Sequence, residues 1–129
     1  STSLDSAKVW GELGNLFFAE GIFDGARIAY KKAIELDEEF GLAFNNLALL
    51  HARDGEYDQA VPLYETSIQL LENQRAQAVS WNNLGNAHRA LHDYEKAQEA
   101  YRKADDLDRE QVALKQAVSY GLLHDNSIS

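Results

Sequence analysis

The chain holds four histidines and no cysteine, which removes disulfides, thiolate nucleophiles and cysteine metal sites together. His88 and His92 stand four residues apart, a spacing that puts two imidazoles on one helix face and suits a pair of zinc ligands. Arg89 and Ala90 follow His88, so there is no HExxH pattern, and no third ligand falls in register. His88 and His51 instead share one position in a repeating pattern set out below, which gives them a core role, and His124 belongs to the tail. The carboxylates gather in runs such as Glu35, Asp37, Glu38 and Glu39, or Asp105, Asp106 and Asp108. Such runs read as solvated edges, since an acid–base pair needs two carboxyls facing each other across a cleft. Ser6, Ser67, Ser80 and Ser119 lie in no nucleophile elbow, and the glycines form no phosphate-cradling loop. No cofactor and no metal is expected, and the chain is not expected to be an enzyme.

Amides remain. Asn15, Asn45, Asn46, Asn82, Asn83 and Asn86 cluster in stretches that otherwise read as helix, although asparagine is a poor helix former. A carboxamide offers both donor and acceptor, so a row of them can grip the peptide units of an extended chain. The competing role for such amides is to bond one helix to the next.

The elements that would position these side chains emerge when the chain is laid on itself. Trp10, Leu13, Gly14, Phe17, Gly21, Phe23, Ala26, Tyr30 and Ala33 form one unit. Phe44, Leu47, Ala48, His51, Gly55, Tyr57, Ala60, Tyr64 and Ser67 repeat it 34 residues on. Trp81, Leu84, Gly85, His88, His92, Tyr94, Ala97, Tyr101 and Ala104 repeat it again after 37, with three residues inserted near Asn73 to Gln77. The i, i+3, i+4, i+7 spacing marks one face of a helix, and a second such face follows in each unit. The small residues Gly14, Ala48 and Gly85, set against Ala26, Ala60 and Ala97, let the two helices approach. Trp10, Phe17, Phe44, Tyr64, Trp81 and Tyr101 are core by register. Gly21 and Gly55 stand where the turn between helices requires positive φ. Asp24, Asp58 and Glu95 set a carboxylate at the start of each second helix, favourable to its dipole.

This W-x-x-L-G, later ring, A-x-x-x-Y-x-x-A pattern resembles the tetratricopeptide repeat family over roughly residues 7–109. The resemblance implies an all-α fold, a right-handed α-solenoid of three antiparallel helix pairs plus a capping helix. Repeats are expected at about 7–40, 41–74 and 78–111, with the capping helix at about 110–123. Val112, Leu114, Ala117, Val118, Tyr120 and Leu122 supply that helix with an apolar face to cover the open end. Two departures stand out. The proline that often closes a repeat is replaced by Glu38, Glu72 and Arg109, so the turns between repeats are expected to be more helical. His92 replaces the glycine of the other two turns, so that turn is expected to be shaped differently.

In such a solenoid the first helix of each pair lines a concave face. The positions facing the groove are Lys8, Glu12, Asn15, Phe18 and Ala19, then Leu42, Asn45, Asn46, Leu49 and Arg53, then Val79, Asn82, Asn83, Asn86 and Arg89. The candidate peptide-binding set is therefore Asn15, Phe18, Leu42, Asn45, Asn46, Arg53, Val79, Asn82, Asn83, Asn86 and Arg89. Asn46 and Asn83 match an asparagine ladder that binds ligand backbone in some long members of the family, while the first repeat has Glu12 there. The chaperone-tail carboxylate clamp of other members is matched only at Asn15 and Asn46, since its three basic positions are here Gly11, Val79 and Asn83.

The formal net charge of −9 disfavours nucleic acid and anionic lipid, and no segment approaches the ~18 apolar residues of a membrane span. RNA binding by related helical pairs is set back by the same charge. The opening Ser1-Thr2-Ser3-Leu4-Asp5 is no signal peptide, and the expectation is a cytoplasmic domain excised from a larger protein. The reading that results is a scaffold or adaptor whose partner is another protein or peptide, held extended in the groove. The rival is a structural module that self-assembles into homo-oligomers. A chelator is expected to leave the thermal transition unchanged, because a ligated metal would add its binding energy to folding. A drop of several degrees, restored by zinc, would show that His88 and His92 hold a metal.

Overall fold

The computed structural model describes residues 2–119 of the 129. Among these residues the chain forms six helices and no strand: α1 (Ser3–Ala19), α2 (Phe23–Leu36), α3 (Gly41–Arg53), α4 (Tyr57–Leu70), α5 (Gln74–Ala90) and α6 (Tyr94–Ser119). They pair as α1–α2, α3–α4 and α5–α6, and consecutive pairs stack through α2–α3 and α4–α5, giving an all-α helical-repeat solenoid. Thr2 opens α1 with a capping box, its hydroxyl accepting from the Asp5 N–H at 3.1 Å. Asn73 caps α5 by accepting from the Ala76 N–H at 2.9 Å. The three-residue insertion is absorbed here, lengthening α5 at its start.

All three turns within the pairs close alike. Gly21 and Gly55 have φ of 77°, and His92 adopts φ of 64°. In each, the residue after the left-handed one donates back to the first helix at 2.8 Å, as Ile22 to Phe17, Glu56 to His51 and Asp93 to His88. This is the Schellman closure. The differently shaped turn expected at His92 does not occur: the hydrogen bonds of the closure hold a non-glycine residue in the left-handed region, at a local cost of about 1–2 kcal/mol.

Between pairs the outcome is mixed. Asp37 (φ −144°, ψ 98°) and Leu71 (φ −74°, ψ 132°) end α2 and α4 in extended backbone, so the turns at Glu38 and Glu72 are not helical. At Arg109 the chain does stay helical, and α6 runs for 26 residues where α4 has 14. Glu110 stands where Asn73 caps the preceding repeat, and no Gly or Pro interrupts the stretch Ala104–Ser119. The segment expected as a separate capping helix is therefore the continuation of α6, as far as Ser119. Its Val112, Leu114 and Val118 remain exposed rather than covering the third pair. Tyr120 and Leu122 of the expected face lie outside the described residues.

The core alternates alanine with large rings. One cluster joins Ala26, Tyr30, Ala33, Ala43, Leu47 and Leu50; a second joins Ala48, Ala60, Tyr64, Leu84, Ala87 and Ala100. Trp10, Phe17, Phe44, Trp81 and Tyr101 are only partly buried around them. Gly14 and Gly85 make room for rings more than for helix backbones. A Cβ at Gly14 would lie 2.6 Å from the Tyr30 ring, and one at Gly85 would lie 2.6 Å from the Tyr101 ring. Gly14→Ala and Gly85→Ala are accordingly expected to destabilise by about 1–3 kcal/mol each through overpacking, despite alanine's higher helix propensity. Denaturant titration measures this, and an unchanged or raised midpoint would show that the rings move aside freely.

Candidate peptide-binding groove

Three cavities run along the face formed by the first helices. The first, of about 470 Å³, is lined by Leu4, Lys8, Gly11, Glu12, Asn15, Tyr30, Asp37, Phe40, Leu42, Ala43 and Asn46. The second, about 170 Å³, shares Asn15, Tyr30 and Asn46 with it and adds Phe18, Ala19 and Leu49. The third, about 330 Å³, shares Phe18 and Leu49 with the second and adds Ala52, Arg53, Tyr57, Tyr64, Asn83, Asn86 and Ala87. Shared walls make the row continuous from α1 to α5.

The amides within it are ordered by tyrosines. The Tyr30 hydroxyl donates to Asn15 Oδ1 at 2.6 Å, and the Tyr101 hydroxyl donates to Asn86 Oδ1 at 2.6 Å. Both carbonyl oxygens are thereby engaged, while the Nδ2 donors of Asn15 and Asn86 have no partner among the described residues. A rigid tyrosine thus fixes which end of each amide stays available. Burial pushes the Tyr30 hydroxyl up, partly offset by the neighbouring Asn46 amide. Burial likewise pushes Tyr64 up to about 12, with the nearby Tyr57 adding to the rise, so both remain protonated donors at neutral pH.

Asn45 must be removed from the groove set. It is 5 % exposed and lies between α3 and α5. Its Oδ1 accepts from Ser80 Oγ at 2.9 Å and from Asn83 Nδ2 at 3.3 Å, and its Nδ2 donates to Asn46 Oδ1 at 3.2 Å. Asn46 Nδ2 in turn donates to Asn15 Oδ1 at 3.2 Å. Ser67 Oγ lies 2.7 Å from the Tyr64 carbonyl and 3.1 Å from Ser80 Oγ, which extends the buried chain to α4. The helix-to-helix role therefore accounts for Asn45 and for part of Asn46 and Asn83. Asn82 occupies the repeat position of Asn45, yet it is exposed, because no further pair stacks on α5 among the described residues.

Phe18 packs edge-on against Phe23, ring centroids 5.6 Å apart, and forms the wall between the second and third cavities. Arg53 lies 3.6 Å over the Phe23 ring and reaches the third cavity. Leu42 lines the first cavity; its counterpart Val79 is exposed and lines none of the three, and the same holds for Asn82 and Arg89. His88 is buried at 8 % exposure, and His92 lies 2.9 Å from the Tyr94 hydroxyl. Among the described residues no three metal-ligating side chains come together. Sequence reasoning missed the tyrosines as organisers of the groove. The signal was present: Gly14–Asn15 and Gly85–Asn86 recur as pairs, and Ala48–Leu49 replaces both members at once.

A family signature described as a tetratricopeptide repeat matches residues 39–110, more than half of the chain, and a second TPR signature matches residues 14–55. The chain belongs to the tetratricopeptide repeat family. Its TPR helices are 29% identical, over 97 residues, to a protein STIP1 homolog of Dictyostelium discoideum. That match takes in 72% of this chain but 17% of the relative, so the chain spans about a sixth of the relative's length. Among solved structures, the N-terminal domain of stress-induced protein-1 from C. elegans superposes with a TM-score of 0.76 at 22% identity, covering 92% of this chain and 97% of that one. The first TPR of Spaghetti (RPAP3), bound to the HSP90 peptide SRMEEVD, gives 0.75 at 23% identity with 92% and 97% coverage. MamA gives 0.75 at 22%, covering 83% of this chain and 61% of its own. At these identities the structures share the TPR fold.

Asn45→Ala is expected to cost about 1–3 kcal/mol of stability, since it strands buried donors on Ser80 and Asn83. Asn82→Ala, at the same repeat position but exposed, should stay within about 0.5 kcal/mol. Equal effects in chemical denaturation would contradict the buried bridge.

Proposed function

We propose that this TPR chain is a scaffold or adaptor module that holds an extended segment of another protein along the first-helix face. The observation that carries the reading is the continuous row of three cavities, edged by amides whose carbonyl ends are already held by tyrosine. An extended peptide carries unpaired backbone carbonyls along its length, which suit the free Nδ2 donors of Asn15 and Asn86. Leu42 and Phe40 in the first cavity offer an apolar side chain its place, and Arg53 offers one for an acid. That a related TPR structure holds the HSP90 peptide SRMEEVD supports a peptide as the class of ligand. The net charge of −9 supports a protein partner over nucleic acid or an anionic membrane surface. No described helix is long and apolar enough to cross a membrane. The proposed role is non-catalytic, in a cytoplasmic setting.

A peptide-library screen on the purified chain, followed by fluorescence anisotropy, tests this. Asn46→Ala combined with Asn83→Ala is expected to weaken the best binder roughly tenfold, the worth of about two neutral hydrogen bonds. A loss of stability accompanies it, because Asn83 also donates to Asn45, and Asn46 accepts from Asn45 and donates to Asn15. Intact binding in a destabilised double variant would leave these amides a purely structural role.

Self-assembly is the second reading, favoured by the exposed Val112, Leu114 and Val118 of the α6 extension. Light scattering over a concentration series separates the two, and a strict monomer removes the second.

A further inference from the structure

The three repeats use one tyrosine position in two ways. Tyr30 and Tyr101 each donate to the asparagine that follows the small residue of the partner helix, Asn15 and Asn86. In the middle repeat that residue is Leu49, which accepts nothing, and the small residue is Ala48 rather than glycine. Tyr64 is 1 % exposed, and its hydroxyl makes no hydrogen bond among the described residues. Nor is that oxygen sealed in the core, for among the described residues no buried side-chain polar atom lacks a partner. Tyr64 lines the third cavity, so the accessible part of an otherwise buried side chain is a donor with nowhere to donate except into that space. A buried tyrosine normally finds a partner for its hydroxyl.

Two more donors share the cavity. Asn86 contributes an Nδ2 whose orientation is set by Tyr101, since its Oδ1 is taken. Arg53 contributes a guanidinium laid over Phe23. Its ion pair with Asp54, at 3.4 Å, is the looser of two, because Asp54 already holds Arg27 at 2.6 Å. Among the described residues no carboxylate lines this cavity, in contrast to Glu12 and Asp37 in the first. The remaining wall is mostly apolar (Phe18, Leu49, Ala52, Ala87) and is completed by Tyr57 and by Asn83, whose Nδ2 is already held by Asn45 Oδ1; the apolar part strengthens any charge-assisted bond formed inside.

We infer that the third cavity is an acid-reading subsite, in which the Tyr64 hydroxyl, Asn86 Nδ2 and the Arg53 guanidinium together hold the side-chain carboxylate of an aspartate or glutamate in the bound peptide. The inference rests on the groove reading and adds the chemistry of one position within it. Three donors and no carboxylate face a group that must supply acceptors, and a carboxylate does so with both oxygens. A neutral amide has one acceptor oxygen for these three donors where a carboxylate has two, and it carries no charge to pair with Arg53.

The test uses the whole chain and an array of extended peptides amidated at the C-terminus, so that any carboxylate read is a side chain. Binders are expected to be enriched in Asp or Glu at one position, and exchanging that residue for Asn or Gln should weaken binding about tenfold. Tyr64→Phe keeps the ring and removes only the hydroxyl. It should weaken the acidic peptide about tenfold and the amide peptide little, with the melting midpoint unchanged. Tyr30→Phe and Tyr101→Phe, which each lose an internal bond, should lower the midpoint instead. The subsite is overturned if binders show no acidic preference, if Tyr64→Phe binds the acidic peptide as the parent does, or if it lowers the midpoint as Tyr30→Phe does. Binding that is lost on Asn46→Ala plus Asn83→Ala but not on Tyr64→Phe keeps the groove and removes the subsite. An array without any binder removes both.

Discussion

A tyrosine ring from the second helix of each pair must lie against the first helix, and in two of the three pairs it fits only because that helix has no Cβ at the point of contact. Gly14 receives Tyr30 and Gly85 receives Tyr101, each with ring carbons where a methyl group would stand. Tyr30 and Tyr64 are the largest fully buried side chains in a core otherwise built from alanine and leucine, and their burial is a large apolar gain. The same contact fixes how far the hydroxyl reaches. It emerges next to the residue that follows the glycine, and there the sequence supplies Asn15 and Asn86. Core packing and groove chemistry are therefore one arrangement. The ring that closes the pair also sets which end of the groove amide is free.

The middle repeat departs from this arrangement in both of its members, and the departure is where the groove changes character. With Ala48 and Leu49 in place of glycine and asparagine, Tyr64 keeps its burial but loses its acceptor. The polar function moves to a second line of contacts, in which Asn45, Ser80 and Ser67 tie α3, α5 and α4 together beneath the surface. Such a network is stable only when each member is satisfied, and among the described residues no buried polar side-chain atom lacks a partner. The central stack is thus held by hydrogen bonds below, while its cavity above is edged by donors.

The end of the third repeat shows how a small local difference redirects the chain. Asn73 gives α5 a side chain that caps it and lets it leave the axis of α4. Glu110, one repeat later, has neither a short side chain for capping nor an extended neighbour, and α6 continues. Gln74 reaches across to Glu110 at 3.1 Å and to Gln111 at 2.6 Å, which pins the extension where it passes the start of α5. Past this point Val112, Leu114 and Val118 have no neighbour on the described chain to cover them.

The sequence by itself determined the helical-repeat fold, the family, the pairing order and the residues of the turns, because each follows from spacing along one chain. A ring, a small residue and a glycine at fixed offsets admit few alternatives. It also marked Asn15, Asn46, Asn83 and Asn86 as amides on the first helices, since their register relative to Trp10, Phe44 and Trp81 is a matter of counting. What each amide does was decided only in three dimensions. Asn45 and Asn82 are the same residue at the same repeat position, yet one is buried under α5 and the other is exposed at the end of the stack. His92 takes a glycine's backbone conformation because the closure around it outweighs the intrinsic preference of a side chain. The fate of α6 likewise turned on the absence of a cap rather than on the apolar pattern that suggested a separate helix. Periodicity reports which faces of a helix are apolar; whether a neighbour covers a given face depends on where the next helix lies, and that is a property of the packed chain.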